Sequence, residues 1–114
     1  MKLKTIEERL KLACKCCWER LDREATGGYV GDLLSDVMAN SASGDIWITR
    51  QVHVNVVAVA ALKEHAAIVM VQGAEPDPDT IEKASREGIP VFVTGMSAFE
   101  TSGRLHRLLF PDTD

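Results

Sequence analysis

No glycine in this 114-residue chain is followed by lysine, so the GxxxxGK[ST] loop that cradles transferring phosphates is absent. No GxGxxG run opens a strand–helix unit either, which removes the usual dinucleotide fingerprint. Aromatic residues make up only 5% of the chain, with a single tyrosine. The longest apolar run, Val56 to Leu62, is far too short to span a bilayer. The N-terminus, Met1-Lys2-Leu3-Lys4, leads into charged residues where a signal peptide would need an apolar stretch. Three cysteines stand at Cys14, Cys16 and Cys17 with no second pair to complete a metal set. An odd, bunched set suits a reducing compartment, so a cytoplasmic location is expected. The net charge of −4 and scattered arginines argue against nucleic acid as a partner. No nucleophile with a base and an orienting group can be read off, so no catalytic residue, cofactor or metal ligand is assigned.

What is present is the alternation of two periodicities. Thr5-Ile6-Glu7-Glu8 has the form of a capping box and predicts a short helix from Ile6 to about Leu10. The next stretch is two-sided. Leu10, Cys14, Cys17 and Leu21 extend a helical stripe, while Leu12, Cys14 and Cys16 alternate as in a strand; pattern alone leans to helix. In the strand alternative Cys14 and Cys16 share a face. A helix is expected from Asp32 to about Asn40, and strands at Ile46–Thr49, Ala66–Val71 and Ile89–Val93. The segment between the first two of these strands is long enough for a parallel crossover, which makes Val54 to Glu64 a helix. Further helices are predicted over Asp79–Glu87, stopped by Gly88 and Pro90, and over Ala98–Leu109, with Ser97 as N-cap and Glu100 three residues on. One α/β domain follows, with a mostly parallel or mixed sheet flanked by helices over residues 1–114.

Three segments are candidates for binding. Thr26-Gly27-Gly28-Tyr29-Val30-Gly31-Asp32 reads as a glycine-rich turn opening a helix, whose amides at Gly27, Gly28 and Tyr29 suit an anion. The alternative is a tight turn in which glycine serves only close packing, with Asp32 as the helix cap. Thr49, His53 and Asn55 fall at a strand end and the following helix start, where open α/β sheets collect ligands. They could equally be a cap and a dimer contact. Thr94-Gly95-Met96-Ser97 supplies another such turn, in which Ser97 doubles as an N-cap. Trp18 and Trp47 read as core or dimer-interface anchors. Glu75, Asp77 and Asp79 suit the dipole of the helix they precede.

These residues resemble the DRTGG domain family. The resemblance runs from the capping box through Leu21-Asp22-Arg23-Glu24-Ala25-Thr26-Gly27-Gly28-Tyr29-Val30-Gly31-Asp32-Leu33-Leu34-Ser35, Gly44-Asp45-Ile46-Trp47-Ile48-Thr49 and His53–Ala60 to Glu75-Pro76-Asp77 and Gly88-Ile89-Pro90-Val91. Ala25 stands where the name-giving motif has arginine. The family is similar to the N-terminal domain of HPr kinase/phosphorylase and more distantly to that of muramyl ligases. The resemblance implies a small α/β domain that forms a homodimer and acts as a regulatory or interaction unit without catalysis. It also implies a strand around Lys11–Cys16, a small anionic or adenine-nucleotide ligand, and a redox or hydrogenase-associated protein as partner.

Overall fold

Apolar runs of four or five residues separated by amphipathic helices favour a buried parallel sheet. The computed structural model describes residues 1–112 and has this architecture. Its elements are α1 (Leu3–Leu10), β1 (Ala13–Cys16), a 3-10 turn (Trp18–Arg20), β2 (Gly27–Val30), α2 (Leu34–Asn40) and β3 (Asp45–Thr49). They continue with α3 (Asn55–Leu62), β4 (Ala67–Met70), α4 (Pro78–Glu87), β5 (Val91–Val93) and α5 (Ala98–Leu109). The sheet has the order β1-β5-β4-β3-β2. Strands β2 to β5 are parallel, and β1 joins β5 antiparallel.

Each of the strands β2, β3 and β4 passes through one helix to its immediate neighbour. Crossovers of one hand then place α2, α3 and α4 on a single face. There Trp47, Ile68, Met70 and Val91 meet Val37, Val56, Val57, Ala60 and Ala84. The other face presents Ile46, Ile48, Ala67, Val69 and Phe92 to Leu3, Ile6 and Leu10 of α1 and Leu105 of α5. Every residue of β3 and β4 is buried. Trp47 is a core anchor, whereas Trp18 is 62% exposed in the 3-10 turn.

Helix α1 starts at Leu3, so the expected Thr5–Glu8 capping box does not open it; Lys2 is the N-cap and supplies no side-chain bond. Tertiary contacts do the capping, because the amides of Leu3 and Lys4 donate to the carbonyls of Arg23 and Leu21. Ser97 does cap α5, its hydroxyl accepting the Glu100 amide at 3.1 Å. Pro78 opens α4 and Gly88 closes it in the left-handed region.

The cysteine segment is a strand, as the resemblance implied, and not the helix its stripe favoured. A bulge shifts its register between Cys14 and Cys16. Cys14 therefore packs toward α1 and α5 while Cys16 and Cys17 lie in the opposite layer, which corrects the expected shared face of Cys14 and Cys16. Burial pushes the Cys14 thiol up, and burial together with Cys16 pushes Cys17 up to about 12. Alkylation of the native protein is therefore expected at Cys14 alone, and slowly, with Cys16 and Cys17 modified only on unfolding. Peptide mapping with and without denaturant checks this.

His65, 1% exposed, is the largest polar side chain in the core and packs edge-on against Trp47. Burial holds its pKa below the ordinary 6.5, so the fold favours the neutral ring. The unfolded chain binds more protons between the folded pKa and about 6.5. Stability is then full above about pH 6.5 and falls as pH drops through the folded pKa. Urea midpoints across this range should decline in the native chain, and the decline should be shallower in His65→Gln.

Candidate functional site at the carboxyl edge of the sheet

Parallel strands deliver all their following loops to one edge, and α5 leaves that edge for the opposite face from α2, α3 and α4. A cleft of about 240 Å³ opens there between Gly31 and Asp32 after β2, Thr49 and Arg50 at the end of β3, Gln72 after β4, and Ala98 at the start of α5. Asp32 anchors it. One oxygen of its carboxylate accepts from the Thr49 hydroxyl at 2.7 Å and from the Arg50 amide at 2.8 Å. Gln51 donates its side-chain amide to the Asp32 carbonyl at 3.0 Å, and the Trp47 indole donates to the Gly31 carbonyl at 2.8 Å. Asp32 thus ties β2 to β3 and is not the cap of α2, whose N-cap is Leu33.

The next loop is tied in the same way. The Val52 carbonyl accepts from the Asp77 amide at 3.2 Å and from the Thr80 hydroxyl at 2.7 Å. His53 Nδ1 stands 2.9 Å from the Asp77 carboxylate, with the ring two-thirds exposed. Asn55 is the exposed first residue of α3, and neither it nor Thr49 caps that helix, whose N-cap is Val54. After β5, the Thr94 hydroxyl accepts the Met96 amide at 3.2 Å. The Gln72 and Gly73 amides donate to Met96 and Thr94 carbonyls, and both residues have positive φ. Thr49, His53, Asn55, Thr94 and Ser97 therefore share one edge of the sheet.

Thr26, Gly27 and Gly28 do not join them. Gly27–Val30 is edge strand β2, which corrects the expected turn opening a helix. Gly27 pairs with Asp45 at the start of β3, about 13 Å of strand from Thr49 at its end. Close approach explains the glycines. A Cβ on Gly27 would lie 2.7 Å from an Asp45 carboxylate oxygen, and one on Gly28 would lie 3.2 Å from Leu105. Tyr29 projects to the α2 face, where its hydroxyl bonds the Asp36 carboxylate. Gly28 also lines an apolar groove of about 190 Å³ between β2 and α5, with Val30, Leu105, Leu109 and Phe110.

Asp32, Gln51, Gln72 and Asp77 are the site groups that the sequence reading missed. Local pattern offers Asp32 only as a cap and Asp77 only as dipole charge. Nothing local pairs Asp77 with His53; the contact exists because α3 and α4 are neighbours on one face.

The arrangement is that of a small α/β domain, its loops gathered beside a modest cleft. The chain belongs to the DRTGG domain family, which matches residues 32–108 and so begins just after the Glu24–Gly28 run. It is also similar in fold to the crystal structure of the CBS and DRTGG domains of the regulatory region of Clostridium perfringens pyrophosphatase, complexed with the activator diadenosine tetraphosphate. The TM-score is 0.72 at 19% identity, over 91% of this chain and 45% of that one. This chain therefore spans less than half of that regulatory region. No curated protein matches it.

Gly28→Ala should fold with a small loss, since the facing Leu105 methyl can give way. Gly28→Val should cost about 1–3 kcal/mol by overpacking the β2–α5 contact. Chemical denaturation of both variants measures the difference.

Proposed function

We propose that the chain is a non-catalytic regulatory module that senses a small anionic metabolite, an adenine nucleotide foremost, at the carboxyl edge of its sheet. The observation that carries this reading is the cleft formed where α5 crosses to the opposite face, the position at which open α/β sheets take ligands. The amides opening the twelve-residue α5 and the exposed Arg50 supply positive potential. One oxygen of the Asp32 carboxylate is occupied by the Thr49 hydroxyl and the Arg50 amide, which gives that side chain the task of tying the two loops. In this reading Thr94 and Ser97 contact the anion, His53 and Asn55 read the remainder, and Thr49, its hydroxyl proton given to Asp32, holds the loop in place. Support for a nucleotide comes from the Clostridium perfringens regulatory region, whose DRTGG domain accompanies CBS domains in a complex with diadenosine tetraphosphate. We place the module in the cytoplasm, in keeping with its three free thiols, and beside a redox or hydrogenase-associated protein, as the family resemblance implies.

A second reading, homodimerisation and protein docking with no small ligand, rests on the surface around β2. Leu33 is 68% exposed, Phe99 89% and Phe110 42%, beside a strand with an unpaired edge.

A thermal-shift series with AMP, ATP, diadenosine tetraphosphate and inorganic phosphate tests the first reading. Ligand at about a hundredfold over its Kd adds about 2.7 kcal/mol, which raises Tm by several degrees. His53→Ala should weaken the responding ligand about tenfold while leaving the unliganded Tm nearly unchanged. A flat series, together with a dimer seen by sedimentation and lost in Phe99→Asp, would transfer the assignment to docking.

A further inference from the structure

The carboxyl-edge cleft and the apolar groove between β2 and α5 are not separate spaces. Val30 and Ile48 line both the cleft, of about 240 Å³, and the groove, of about 190 Å³. Ile48 is buried and forms their common floor, and half-exposed Val30 is their common wall on the β2 side. Neither space alone reaches the roughly 300–1,000 Å³ of small-molecule sites; the two joined do. The joined space has one polar end and one apolar end. Arg50, Gln72 and the start of α5 at Ala98 stand at the cleft, whereas Leu105, Leu109 and Phe110 wall the groove.

Two groups in the groove say what its apolar occupant would carry. The Ser102 hydroxyl donates its proton to the Phe99 carbonyl at 3.0 Å. Toward the groove that oxygen offers lone pairs only, so it selects a ligand that brings a donor. The His106 ring packs against Phe110, with centroids 5.3 Å apart and planes inclined by 48°. That contact steadies the exposed Phe110 ring at the end of the groove. An aromatic face beside a lone acceptor suits a flat base that bears an exocyclic amino group. Ser102 stands four residues, about 6 Å, along α5 from Ala98, about the reach of a ribose between its phosphate and its base.

Given an anion held in the cleft, the reading on which this assignment rests, we propose that the β2–α5 groove is the base subsite of the same ligand and selects adenine. The adenine ring lies against Phe110 and donates from its exocyclic amine to Ser102. Its 5′-phosphate stays at the cleft beside Arg50 and the start of α5, leaving His53 and Asn55 to the further phosphates of a longer nucleotide. Hypoxanthine presents a carbonyl oxygen where adenine has the amine. That oxygen faces the Ser102 lone pairs and is met only by breaking the Ser102–Phe99 bond, so inosine nucleotides bind more weakly.

Isothermal titration of the full chain with AMP, IMP and ribose 5-phosphate tests the assignment. AMP should bind about tenfold or more tighter than ribose 5-phosphate, which carries the anion without the base, and tighter than IMP. Phe110→Ala should weaken AMP about tenfold and leave ribose 5-phosphate unchanged. Ser102→Ala should narrow the difference between AMP and IMP. Both variants alter side chains that reach the surface, and an unchanged unliganded Tm verifies their fold. Ribose 5-phosphate bound as tightly as AMP overturns the base subsite and leaves the anion reading standing. AMP affinity unchanged in both variants does the same and gives the groove to the docking reading. A chain that does not bind AMP at all overturns the subsite, with the anion reading then decided by the thermal-shift series.

Discussion

The strictly sequential order of the four parallel strands is the constraint from which the rest of the molecule follows. Each crossover has the same hand, so three helices are committed to one face before the chain reaches β5. The opposite face is equally apolar, with Ile46, Ile48, Val69 and Phe92. Only the two terminal helices remain to cover it. This explains why α1 is anchored by its first amides to the Leu21–Arg23 loop, and why α5 lies directly over β2 and β3. A single α5 must shield the sheet where β2 has little side chain, and Gly28 lets it come close.

The same order polarises the molecule. Helix N-termini, the loops after β3, β4 and β5, and the Asp32–Thr49 and His53–Asp77 links gather at the carboxyl edge. Helix C-termini, glutamates and the unpaired nitrogen of His65 gather at the amino edge. The two ends therefore carry helix-end partial charges of opposite sign. They lie about one strand length apart, joined by β3 and β4, whose buried side chains leave little room for relative movement.

Elements with local determinants were legible in the sequence. Helix α5 was readable from Ser97 to Leu109 because its cap and its apolar spacing lie within the segment itself. Helix α4 was readable from its proline and glycine. Helix α3 needed topology as well as pattern, since its valines alone favour a strand. The run at Gly27–Val30 is ambiguous in sequence because glycine permits a turn and an edge strand alike; what makes it a strand is its pairing with Asp45–Ile48 of β3. The bulge that separates Cys14 from Cys16 has no sequence marker, because it reflects the fit of β1 to β5. At the site, Thr49, His53 and Asn55 were placed correctly at a strand end, yet Asp77 could be joined to His53 only once α3 and α4 were side by side.

The two outer strands of the sheet are unlike each other. On one side β1 is irregular and antiparallel, and its bulge puts its free amides and carbonyls out of line. On the other side β2 is regular, slender and flanked by exposed apolar side chains. A sheet with one blunted margin and one receptive margin can be extended in a single direction only. If two copies met through β2, the outer margins of the pair would both be the blunted kind, and growth would end there. In such a pair the unevenness of β1 would act as a stop, limiting the number of subunits without touching any of the contacts between them.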